Sequence, residues 1–155
     1  VSAENHCIDA YYYNKTGDAS VYVEYKSGLS PTPSSGGELW QAKFYDNTEF
    51  KEPAVFERED ALISFDWGEA NPAPNVPKDY FGIHWSKCVV LEERYYTFSA
   101  SSSSYLLILV DGNEVLKTSN GGSDSVDYYV SAENHCIDAY YYDKTDDASV
   151  YVEYK

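Results

Sequence analysis

Three cysteines, three histidines and a scatter of carboxylates are the residues of this sequence able to do chemistry. Glu57, Glu59, Asp60 and Asp66 flank a central stretch around Trp67. Hydrolysis of a glycosidic bond uses two carboxylates set across a sugar, and closeness in sequence does not place two of these across one. His6, His84 and His135 each fall within a strand-like run, where a histidine reads as half-buried and hydrogen-bonded rather than catalytic. No strained-turn serine, phosphate-cradling glycine loop or zinc-type His/Cys spacing is present. The adjacent acids Asp146 and Asp147 read as a solvated turn. The sequence therefore assigns no catalytic residue and no metal ligand, and the chain reads as a non-enzyme.

The elements that carry these residues are dominated by a repeat. Residues 1–26 and 130–155 are the same segment, differing only at Asn14 against Asp143 and Gly17 against Asp146. A copied tag would be identical, so the two differences favour a tandem array with a period of 129 residues, the offset from Val1 to Val130. The expected domains are residues 1–26, closing strands of a preceding repeat or a strand donated to a neighbouring copy; residues 27–37, a linker; and residues 38–155, one complete repeat. One body and two tails are then present. The surplus tail is expected to pack on another copy of the body, by strand addition to a sheet edge or by standing in for a body that precedes it. Either contact runs head to tail.

Each tail reads as two strands around a turn. Val21, Val23 and Tyr25 alternate with Tyr22 and Glu24. Tyr11, Tyr12 and Tyr13, repeated as Tyr140, Tyr141 and Tyr142, place aromatic rings on both faces of a strand. One face is core; the other is exposed, stacks on sugars, or buries against a neighbour. With Tyr22, these tyrosines are the candidate assembly interface, because Tyr combines apolar area with a polar tip. The linker SGLSPTPSSGG mixes flexible Gly and Ser with stiffening Pro31 and Pro33. Ser30, Thr32, Ser34 and Ser35 beside the prolines are candidate O-glycosylation sites, and Asn14-Lys15-Thr16 is an N-glycosylation sequon. Asp143 removes that sequon from the second copy.

Cysteine arithmetic fits the array. Cys7 and Cys136 hold one repeat position, which leaves Cys136 to pair with Cys88. Cys7 would pair with the Cys88 equivalent of the preceding repeat. The alternative is three buried free thiols. The Cys88–Cys136 bond would contribute about 3–4 kcal/mol on a chain-entropy view and requires an oxidising, extracellular setting.

Composition narrows the partners. The chain has 155 residues, 17 tyrosines, no methionine and a net charge of −15. That charge repels nucleic acid and anionic membrane surfaces, and no apolar run is long enough to insert in a bilayer. The body reads as short strands at Leu39–Tyr45, Leu62–Phe65, Phe81–Trp85, Tyr95–Ala100, Tyr105–Val110 and Glu114–Thr118. Asp111-Gly112 marks a hairpin, and Asn71-Pro72-Ala73-Pro74 with Val76-Pro77 marks a long loop. No helical stripe is evident. The fold class is all-β, an antiparallel two-sheet sandwich or barrel.

The landmarks of residues 38–155 resemble, in order, those of the protective-antigen-type domain, the PA-fourteen module. Trp40 to Asn47 resembles its opening strand. Phe65-Asp66-Trp67-Gly68 with Pro72-Ala73-Pro74 resembles its central loop. Phe81 to Trp85 and Tyr96-Thr97-Phe98 resemble the next two strands, and Val110 to Val115 its hairpin. His135-Cys136-Ile137, Tyr141-Tyr142 and Ala148 through Tyr154 resemble the closing pair. The resemblance implies a two-sheet, lectin-like sandwich found in adhesins, toxins and glycosidase insertions. It also implies a calcium ion gripped by adjacent aspartates just before the strand leading into the hairpin. Here that stretch is Ser101-Ser102-Ser103-Ser104, and serines are poor calcium ligands, so no cofactor is expected. Trp67 and Asp111 are the candidate glycan contacts. The expected function is a structural repeat of a secreted or cell-surface protein, assembling with other copies of itself into a filament, stalk or adhesive fibre. The alternative is a carbohydrate-binding adhesin module.

Overall fold

A computed structural model describes residues 39–155. Ten strands run through them: β1 Trp40–Tyr45, β2 Phe56–Asp60, β3 Ile63–Gly68, β4 Phe81–Val90, β5 Arg94–Ser102, β6 Tyr105–Val110, β7 Asn113–Ser119, β8 Gly122–Val130, β9 Asn134–Asp143 and β10 Ala148–Tyr154. They form two antiparallel sheets, one in the order β2-β1-β4-β9-β6-β7 and one in the order β3-β10-β5-β8.

The side-chain period of two builds the layer between the sheets. Along β9, His135, Ile137, Ala139, Tyr141 and Asp143 point inward and are buried, while the residues between them are half-buried. Leu106, Ile108 and Val110 of β6 and Tyr96, Phe98 and Ala100 of β5 do the same. Trp85, Tyr141, Phe44, Phe81 and Phe98 are the bulkiest fully buried side chains. Burying each such ring stabilises by about 1.5–3 kcal/mol. Trp85 donates its indole N–H to Asp60 at 2.8 Å, and Arg58 reaches the same carboxylate at 2.8 Å from between the rings of Phe44 and Phe65.

The closing segment is not peripheral. β9 lies between β4 and β6, and β10 lies between β3 and β5. Residues 130–155 thus supply an interior strand to each sheet. The expected strand addition concerns residues 1–26, which lie outside the described residues. Residues 130–155 fill a gap flanked on both sides, because their apolar alternation suits a strand whose inner face is fully covered. The copy at residues 1–26, with Cys7, Asn14, Tyr11, Tyr12, Tyr13 and Tyr22, lies outside the described residues. So do Ser30, Thr32, Ser34 and Ser35.

Two strands escape a pattern search. β2 reads FERED, with Glu57 and Glu59 exposed. β8 opens with GSDS, exposed throughout, before Val126 and Val130 turn inward. Both are edge strands, whose charged or polar outer positions hide the alternation.

Candidate functional site

The functional candidates separate to opposite ends of the sandwich. Trp67 stacks on Phe65 at 5.1 Å and meets Phe81 and Tyr141 at 6.1 and 6.2 Å. Asp111 instead bonds the backbone of Cys136. Tyr141 and Cys136 stand five places apart on β9, about 17 Å along a strand. The structure therefore does not bring Trp67 and Asp111 together around one sugar.

Both Asp111 oxygens are engaged. One accepts from the Cys136 N–H at 2.9 Å and the other meets His135 Nδ1 at 2.6 Å. The Asp111 N–H in turn donates to the Cys136 carbonyl at 2.8 Å. The Cys136 N–H, then His135, hold the Asp111 carboxyl below its ordinary range. Asp111, then the Ser131 carbonyl at 3.0 Å, raise His135 above its ordinary value. With φ of 49° at Asp111 and 77° at Gly112, the β6–β7 turn has both central residues left-handed, the geometry of a type I′ hairpin. Asp111 is a clasp between that hairpin and β9, beside the Cys88–Cys136 disulfide, which joins directly opposed residues of β4 and β9.

The remaining chemistry-bearing residues are likewise internal partners. His84 Nε2 meets Asp138 at 2.7 Å, and its ring stacks on Tyr140 at 4.1 Å. Asp60 is held by Trp85 and Arg58, and Asp66 accepts the Gly68 N–H. Of the interface candidates, Tyr141 is corrected: it is fully buried in the core and cannot face a neighbour. Tyr140 and Tyr142 point out, half-covered by their stacking partners His84 and Tyr105. Tyr151, the counterpart of Tyr22, is 39% exposed on an outer face shared with Ser99, Ser101, Ser123 and Ser125.

At the Trp67 end, serines stitch the β5–β6 turn in place. Ser102 Oγ meets Thr118 at 2.7 Å and donates to the Ser104 carbonyl. Ser103 Oγ accepts from the Ser149 N–H at 2.9 Å and meets the Tyr141 hydroxyl at 3.1 Å. Beside them Asp143 is wholly buried, and among the described residues neither of its oxygens makes a full hydrogen bond, the Tyr141 hydroxyl exerting only a weak lowering pull. Burial first, then repulsion from Asp79 and Asp146, push its carboxyl up to about 6. Asp146, in the turn after β9, holds a left-handed φ of 75°.

One hollow of about 250 Å³ opens nearby. Tyr105 and Tyr142, stacked at 4.6 Å, form its wall with Ser104 and Asn120. Lys117 and Lys144 also line it, their ammonium groups 5.6 and 5.3 Å from those rings. Of its lining, sequence reasoning singled out Tyr142 and, within a serine run, Ser104. The lysines come from β7 and the β9–β10 turn, and no local spacing links them.

No protein-family model and no curated protein matches this chain. Solved structures do. Two anti-sigma factor domain-containing proteins, one from Clostridium clariflavum, match 75% and 76% of the chain at TM-scores of 0.66 and 0.67 and 26% and 20% identity. The matches cover 41% and 42% of those chains, so this chain spans about two fifths of their length. The PA14 domain of the antifreeze protein MpAFP matches 84% of this chain over 87% of its own, with TM-score 0.63 and 18% identity. A PA14 sugar-binding domain from an RTX adhesin matches 76% of this chain over 89% of its own, with TM-score 0.61 and 11% identity. The fold is that of a PA14 domain.

The calcium implied by the PA14 resemblance does not fit these residues. Calcium takes six to eight oxygens, several of them carboxylates. The stretch before β6 offers serine hydroxyls already committed to Thr118, Tyr141 and Ser149. Among the described residues, no group of three His, Cys, Asp or Glu is placed to hold a metal. No helix among them is long and apolar enough to cross a membrane.

Proposed function

We propose that this chain is a structural repeat unit of a secreted or cell-surface tandem-domain protein of adhesive type. Its units join head to tail into a stalk, filament or fibre, with other copies as partners. The observation that carries this reading is the copied segment: 26 residues recur, and their described copy at residues 130–155 carries the interior strands β9 and β10. The cross-strand disulfide suits an oxidising exterior. The internal commitment of Asp60, Asp66, Asp111, His84 and His135 supports a module without catalysis. A glycan array run with and without chelator tests the ligand side. A structural unit gives no calcium-dependent binding; reproducible binding lost on chelation would reverse the reading.

A second reading has its own observation. The Tyr105–Tyr142 hollow sets two ammonium groups over stacked rings in a chain of net charge −15. Such a surface suits an acidic carbohydrate bound without metal, the lysines meeting its carboxylate and the tyrosine hydroxyls its hydroxyl groups. Chelator-resistant binding of uronic or sialic acid glycans, lost in Lys117→Ala and in Lys144→Ala, would establish it.

A further inference from the structure

Tyrosines of the sandwich meet one another in pairs, and the pairs are not equivalent. Tyr105 and Tyr142 lie flat on each other, 4.6 Å apart and 5° from parallel. Tyr96 and Tyr154 stand 6.2 Å apart, and Tyr96 is buried. Tyr95 and Tyr129 differ from both. They are directly opposed on β5 and β8, with ring centroids 5.4 Å apart and planes crossing at 63°. They are 68% and 48% exposed, so a dissolved oxidant reaches both rings.

Core packing does not account for this pair. Along the same outer face of β5 and β8 the opposed residues are small or polar: Thr97 with Asp127 at 2.7 Å, Ser99 with Ser125 at 3.0 Å, then Ser101 with Ser123. Two large rings end that row, and each leaves much of its area in water. The Tyr129 hydroxyl donates to the Glu93 carboxylate in the β4–β5 turn.

A phenol that loses one electron and one proton becomes a phenoxyl radical, with spin on the ring carbons beside the oxygen. Two such radicals couple through a Cε–Cε bond. The hydrogen on each coupled carbon then moves to oxygen and restores both phenols. The net change breaks two C–H bonds, forms one C–C bond and releases two electrons and two protons. One hydrogen peroxide takes these up and becomes two waters. Directly joined aryl rings stand twisted, neither coplanar nor stacked, as the planes of Tyr95 and Tyr129 already do. Tyr105 and Tyr142 would have to leave their parallel stack first. Opposed strand positions hold the Cβ atoms about 5 Å apart, so coupling needs only side-chain adjustment and has the advantage of an intramolecular reaction. Glu93 is placed to take the Tyr129 phenol proton as its electron leaves.

We propose that Tyr95 and Tyr129 form a site of oxidative cross-linking, joined as a dityrosine by hydrogen peroxide acting through a peroxidase. The bond does for the smaller sheet what the disulfide does for the larger. Cys88–Cys136 ties β4 to β9; the dityrosine ties the edge strand β8 to β5 and closes a loop of 34 residues, the offset from Tyr95 to Tyr129. Unlike the disulfide, it is not opened by thiols. The inference goes beyond the repeat reading and holds whether or not the units assemble.

The full chain, kept dilute, is treated with a haem peroxidase and hydrogen peroxide, with free tyrosine dimerising in a parallel sample. The monomer is isolated, reduced, digested and mapped by mass spectrometry with fragmentation. Blue dityrosine fluorescence in the monomer, and peptides joined through Tyr95 and Tyr129 with the loss of two hydrogens, are the expected result. The joined pair should be lost in Tyr95→Phe and in Tyr129→Phe, both outer-face changes, and kept in Tyr105→Phe. Monomer left unlinked at Tyr95 and Tyr129 overturns the proposal. So does a Tyr95–Tyr129 link confined to covalent dimers, or a joined product that survives Tyr95→Phe unchanged. The unmutated map decides even if a variant does not fold.

Discussion

Replacing Asp143 by Asn should stabilise the domain at neutral pH and do nothing at acid pH. Asp143 is fully buried, among the described residues its two oxygens make no full hydrogen bond, and its carboxyl is pushed from 3.8 up to about 6 by burial, Asp79 and Asp146 against a lesser pull from Tyr141. An acid whose folded pKa is raised keeps its proton longer in the native state than in the unfolded chain. Its penalty is therefore absent below about pH 4, grows as pH rises toward 6, and is constant above. From 3.8 to about 6, the penalty has a ceiling of about 3 kcal/mol. The buried amide of the replacement, itself short of partners, reduces the expected gain to about 2 kcal/mol. That is a rise in Tm of roughly 5–10 °C for a domain of this size. The assay is thermal unfolding by circular dichroism at pH 4, 5, 6 and 7.5. A Cys7→Ser background leaves Cys136 as the sole partner for Cys88. The substitution creates an Asn-Lys-Thr sequon with Lys144 and Thr145, and bacterial expression keeps it free of glycan. A neutral or destabilising effect at pH 7.5, or a gain of equal size at pH 4, would refute the reasoning.

Cys88→Ser removes the Cys88–Cys136 bond and should cost about 4 kcal/mol for a loop spanning 48 residues, read as a lower urea midpoint. Asp111→Ala should cost about 1–3 kcal/mol by freeing the Cys136 N–H and His135. Because Asp111 is lowered and His135 raised, that loss should be largest between about pH 4 and 6.5 and should shrink as pH rises through the His135 pKa. Gly121→Ala should destabilise by more than about 2 kcal/mol, since φ is +78° and an added Cβ would lie 2.6 Å from the Ser103 carbonyl oxygen; an unchanged Tm would argue against this β7–β8 turn geometry.

Much of the fold was legible where physics acts locally. The alternation in Tyr105–Val110 and Tyr95–Ala100 marked β6 and β5, because one face of each is core. Asp111-Gly112 marked its hairpin because few residue pairs tolerate two left-handed φ values. The copied cysteine position pointed to the Cys88–Cys136 pair seen across β4 and β9. Long-range facts were not legible. Nothing in VSAENHCIDAYYYD says that its strand is interior to a six-stranded sheet, since pairing partners lie far away in the chain. Tyr140 to Tyr142 look alike in sequence, yet only Tyr141 faces the core. The Lys117–Lys144 hollow joins two elements that only the folded topology brings together.

Electron microscopy of the native full-length protein tests the tandem-repeat reading most directly. A row of globular units, one for each 129-residue period, the offset from Val1 to Val130, joined at regular spacing into a stalk or fibre, is the expected result. Isolated particles with a single PA14 unit among unrelated domains would contradict it.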